Sequence, residues 1–198
     1  MAEFIPPQPA APDAHLPNVE ATYIDLHRLL SIFLASKAFA DRINAPAGHA
    51  QELQDPLFML QACEEDEISR ILLSVAITAR VVDDARGRIL DLVALTCGEL
   101  IPDIQRPERG VQLELREACN KIIHAIDFRP VYDHVDRPVA GGGDAQVWHL
   151  DGQIELAGVQ SKKDWEAVLN VQEFLEIVVD RLEFEPPESE AQNADGPG

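Results

Sequence analysis

Apolar residues in this chain fall mostly three or four positions apart, the spacing that gathers them on one face of a helix. Over residues 19–43, Leu26, Leu30, Phe33 and Ile43 mark such a face, widened by Leu29, Leu34 and Phe39. Asn44-Ala45-Pro46-Ala47-Gly48 stops this predicted helix, since proline and glycine break the pattern. A short helix is expected around residues 51–61, with Pro56 near a break. The clearest period opens at Glu64-Glu65-Asp66-Glu67, carboxylates that suit the positive end of a helix dipole. It continues through Ile68, Ile71, Val75, Ala79, Val82, Ile89 and Leu92 to about Thr96, with a bend near Gly87. Gly98 and Pro102 end it.

Residues 105–110 read as a loop and 111–125 as another helix. Residues 127–144 read as irregular, with Pro130, Pro138 and Gly141-Gly142-Gly143. Residues 146–150 and 153–157 flank Asp151-Gly152, a good two-residue turn, so a hairpin is expected there. Ser161-Lys162-Lys163-Asp164 resembles a capping box that opens the last helix. Trp165, Val168, Leu169, Phe174, Leu175, Val178 and Leu182 would form its apolar side. Packing such faces together predicts a mainly α fold. The expected form is an antiparallel bundle of four to five helices over residues 19–184, with a β-hairpin inserted before the last helix. Residues 1–18 carry Pro6, Pro7, Pro9, Pro12 and Pro17 and read as a disordered arm. Residues 185–198 read as a disordered acidic tail.

The 198 residues, 46% of them hydrophobic, suffice for one domain with its own core. A net charge of −19 repels nucleic acid at long range, because that binding draws on Lys and Arg. No apolar run approaches the roughly 20 residues that span a bilayer, and the first residues lack the pattern of a signal peptide. Cys63, Cys97 and Cys119 fall in predicted helices without CxxC spacing. Buried free thiols in a reducing cytoplasm are the expectation.

Chemistry concentrates in Leu115-Arg116-Glu117-Ala118-Cys119-Asn120-Lys121-Ile122-Ile123-His124-Ala125. At about 100° per residue, Leu115, Cys119, Ile122 and Ile126 share a core face. Arg116, Asn120 and His124 then form a polar stripe turned away from it. The plain reading is a solvated face that also holds Glu117 and Lys121. The sharper reading is a face that meets a second copy of the protein, with His124 as an acid or base near neutral pH.

Asn120-Lys121-Ile122-Ile123-His124-Ala125 resembles the hallmark helix of the HEPN superfamily. That motif is Arg, often followed by Asn, then His. The resemblance implies a dimeric helical bundle that cuts RNA without a metal or cofactor, in a toxin or defence setting. His124 would move the proton, Arg116 would stabilise the phosphorane charge and Asn120 would orient the site. In the family the arginine precedes the asparagine directly; here that place is Cys119, and the nearest arginine is Arg116. The two Cα atoms of Arg116 and His124 would lie about 12 Å apart along the axis, so Arg116 would meet His124 of an antiparallel partner.

The alternative is a catalytically inactive acidic helical module that binds or neutralises a protein partner, since an acidic surface suits a basic one. Two other constellations are weaker. His124, Asp127, Asp133, His134, Asp136 and His149 could be drawn as a metal site, but their spacing fits no known motif. Cys119 and His124 lie about 140° apart on the helix, too far to act as nucleophile and base.

Overall fold

A computed structural model describes residues 18–43, 60, 63–85, 95–138 and 143–183. Among them the chain runs α1 (Val19–Ile43), α2 (Glu64–Ala85), β1 (Thr96–Ile101), a 3-10 turn (Pro107–Arg109) and β2 (Val111–Glu114). It continues through α3 (Leu115–His124), β3 (Asp127–Pro138), β4 (Asp144–Gln160), β5 (Lys163–Asn170) and α4 (Val171–Glu183). The strands form one antiparallel sheet in the order β2-β1-β5-β4-β3. The expected helical bundle is thereby corrected to an α+β fold.

The correction has a local cause in each segment. Trp165, Ala167 and Leu169 are buried while Asp164, Glu166 and Val168 are exposed, the period of two of a half-buried strand. Trp165, Val168 and Leu169 fit a helix face equally well, so the turn before them decides. Ser161 and Lys162 have φ of 52° and 65°, and Gln160 pairs with Lys163 across them. Two consecutive left-handed residues make the tight turn of a β-hairpin. The expected capping box is therefore a chain reversal. The last helix starts ten residues later, at Val171, where Asn170 Oδ1 accepts a hydrogen bond from the Glu173 amide at 3.1 Å, as a helix cap does.

Asp151-Gly152 reverses nothing. It lies inside β4, a single strand of 17 residues. The pairing of β4 with β3 shifts register between Pro130 and Tyr132, which face Ile154 and Leu150. Gly152 has φ of 100° there, and Asp151 Oδ1 accepts from the Gln153 amide at 2.7 Å. The turn-forming pair thus makes a bulge. Residues 127–138, expected to be irregular, are β3, and 111–114, expected to be helical, are β2. Thr96, expected near a helix end, opens β1. The predicted helix at 51–61 apart from Leu60, the segment with Gly87, Ile89 and Leu92, the arm before Asn18 and the acidic tail lie outside the described residues.

One core joins the layers. It holds Leu26 and Leu29 of α1, Ile68, Ile71 and Val75 of α2, and Phe174, Leu175 and Val178 of α4. These pack with Cys97, Leu113, Ile154, Leu156, Trp165 and Leu169 of the sheet. The Leu150 amide donates to Ser36 Oγ at 3.0 Å and ties α1 to β4. Among the described residues no helix covers the other sheet face, as antiparallel sheets allow, and it carries the exposed acids Glu99, Glu155 and Glu166. Because β2 and β3 are the two edges of the sheet, the short α3 that joins them crosses from one edge to the other.

Candidate functional site

The inward side of α3 follows the expected helical wheel. Leu115, Ala118, Cys119 and Ile122 are buried, whereas Ile126 lies beyond the helix and is exposed. Burial pushes the Cys119 thiol far above its ordinary range and raises the Cys97 thiol to about 12. Neither supplies a thiolate at neutral pH. Cys97 sits on β1, not on a helix, and Cys63 is exposed.

The polar side of α3 faces α2. Arg116 Nη1 donates to Asp83, a buried carboxylate, and Arg116 Nη2 to Asp84 at 2.9 Å. The Arg116 hydrogen bond holds the Asp84 carboxyl below its usual range. Arg80 donates to Asn120 Oδ1, and Asn120 Nδ2 donates to Glu117 Oε2 at 3.0 Å. Two of the three residues read from sequence as a site are thus engaged by their own chain.

Lys121, read as part of a solvated face, is buried. Its ammonium donates to Gln160 Oε1 at 2.8 Å and pairs with Glu117 Oε1 at 3.1 Å. It also stands 4.4 Å from the centre of the Trp165 ring, so an ammonium with three donors has two acceptors and a π cloud around it. Gly158 makes room for that ring. A Cβ there would lie 2.5 Å from Trp165 Cζ2. Nothing in the local sequence of α3 could reveal this arrangement, because Gln160 and Trp165 arrive from the β4–β5 hairpin.

His124, the last residue of α3, is exposed. With Glu117, Asn120, Lys121, Gln160 and Trp165 it lines a polar pocket of about 460 Å³. The structure therefore brings Asn120 and His124 to one pocket, while Arg116 is held by the acids of α2. No group of three His, Cys, Asp or Glu side chains is gathered for a metal among the described residues. His134 packs on Trp148 with ring centres 4.8 Å apart.

A second concavity lies between α1 and α4 and measures about 670 Å³. Leu26, Leu30, Leu175 and Val179 form its apolar lining, and Glu176 and Asp180 stand at its edge. Leu34, expected to widen a core face, borders this groove and is 71% exposed. Hydrophobic spacing cannot distinguish a leucine that lines a groove from one that fills a core. Among the described residues no helix is long and apolar enough to cross a membrane. Comparison of the chain with models of known protein families, with curated proteins and with solved structures finds no match.

Proposed function

We propose that this protein is a non-catalytic binding module whose groove between α1 and α4 receives a basic amphipathic helix of a partner protein. The observation that carries the reading is the groove itself. Its leucine and valine lining offers apolar burial, while Glu176 and Asp180 beside it are exposed acids. A helix that sets apolar residues into such a groove and basic residues on its border uses both features. The net charge of −19 speeds encounter with a basic partner and disfavours an acidic one.

Ribonuclease chemistry at α3 would need a free cation beside His124. Arg116 is shared between Asp83 and Asp84, and Lys121 is held by Gln160, Glu117 and Trp165. Both cations are already neutralised or enclosed, and this supports the binding reading over the ribonuclease one.

The test uses the full chain and three labelled helical peptides, read by fluorescence anisotropy. One carries a leucine stripe flanked by lysines, one replaces the leucines with serine, and one replaces the lysines with glutamate. The first binds at least about tenfold more tightly than the others, and Leu34→Asp weakens it by a similar factor without lowering the melting temperature. Equal affinity for all three peptides, or an unaffected Leu34→Asp variant, rejects the groove as a binding site.

A further inference from the structure

Leu73, Ile77 and Val81 of α2 are 42%, 46% and 41% exposed. They recur every four residues and so share one helix face. The opposite face of α2, with Ile68, Ile71, Leu72, Val75 and Ala79, is core. Singly scattered exposed apolar residues are ordinary, whereas these three adjoin one another in a contiguous stripe, and the charges at its ends say what would cover it. The stripe is centred on Ile77, and its two ends carry opposite charges. Arg70 stands three residues before Leu73, and Asp84 stands three residues after Val81. Arg70 pairs with Glu67 and Asp25, and Asp84 with Arg116 and Arg80, yet their side chains stay 52% and 51% exposed, so each still presents a solvent-facing side to a further partner.

We infer that α2 packs against α2 of a second copy of this chain, antiparallel, about a two-fold axis at Ile77. That axis sets Ile77 against the partner's Ile77 and Leu73 against the partner's Val81. It also sets Arg70 against the partner's Asp84. Each unlike pair forms twice, as in any isologous interface. A parallel arrangement would put Arg70 beside the partner's Arg70 and Asp84 beside the partner's Asp84, opposing like charges at both ends of the stripe. Antiparallel packing also opposes the two helix dipoles. The stripe therefore carries its own complement and selects a second copy over an unrelated helix. Stable complexes bury about 800 Å² per partner, far more than three half-exposed side chains offer, so the dimer is weak and concentration-dependent. None of these residues lines the α1–α4 groove, and the inference stands apart from the function proposed for it.

Disulfide trapping in the full chain tests both the contact and its direction. The exposed Cys63 is first replaced by serine; Cys97 and Cys119 are buried. In that background Ile77→Cys links to itself under mild oxidation, because the two-fold axis brings its Cα within the roughly 7 Å a disulfide requires. Leu73→Cys and Val81→Cys link when mixed, but neither links to itself, since like positions lie about 12 Å apart along the helices. Sedimentation shows a concentration-dependent dimer that Ile77→Asp weakens at least about tenfold. A chain that stays monomeric at every concentration, with Ile77→Cys linking no faster than Ile24→Cys on α1, overturns the inference. So does a Leu73→Cys variant that links to itself.

Discussion

The guanidinium of Arg116 lies between a carboxylate almost wholly out of water, Asp83, and a half-exposed one, Asp84. Removing one member of a buried ion pair costs more than the pair contributes, because the remaining charge has lost both its water and its counter-ion. Arg116→Ala is therefore expected to lower stability by about 3 kcal/mol. His124→Ala, at an exposed position, should change stability by less than about 0.5 kcal/mol. Arg116→Lys falls between the two, since one ammonium does not reproduce a fork that reaches two carboxylates. Urea unfolding of the three variants checks the order. If Arg116→Ala unfolds at the wild-type midpoint, the pairing with Asp83 is not part of what holds α3 on α2. The sequence placed Arg116, Asn120 and His124 on one side of a helix, and that side exists. It could not show that α2 brings Asp83, Asp84 and Arg80 to the same side, because those residues lie more than thirty positions earlier in the chain.

At the scale of elements, the helices were legible where one face alone meets the core. The spacing of Ile68, Ile71, Val75, Ala79 and Val82 located α2, and all five are buried. The sheet was hidden for two physical reasons. Residues 163–170 satisfy a helical and an alternating pattern together, and only the left-handed turn at Ser161 and Lys162 selects the strand. Asp151-Gly152 has the chemistry of a turn but is used within β4 as a bulge. The hairpin turn gives a discriminating prediction. A left-handed conformation costs a residue with a Cβ about 1–2 kcal/mol, and glycine escapes that cost. Ser161→Asn combined with Lys162→Gly supplies the preferred residues of this turn. The double variant should gain about 1 kcal/mol in stability, read from the urea midpoint. Had residues 161–164 opened a helix, a glycine in its first turn would instead reduce stability. A loss would therefore contradict the hairpin.

For the whole molecule, the charge of −19 acts together with where the cations are. Arg80 and Arg116 are turned onto the acids of α2, and Lys121 is enclosed against Trp165. The exposed face of the sheet adds Glu99, Glu155 and Glu166 to the outer field. A polyanion approaching α3 thus meets net negative charge at long range and committed cations at short range. Salt would relieve the long-range repulsion, since the Debye length falls to about 8 Å at physiological ionic strength, but it would not release Arg116 from Asp83. The full chain is therefore expected to leave total and structured RNA uncut with EDTA present, at low and at physiological salt. His124→Ala should behave as the wild type does. Cleavage that leaves 2′,3′-cyclic phosphate ends and disappears in His124→Ala would reverse this conclusion. It would mean that α3 exchanges its partners on α2 for a bound substrate, and that Arg116 leaves Asp83 when RNA arrives.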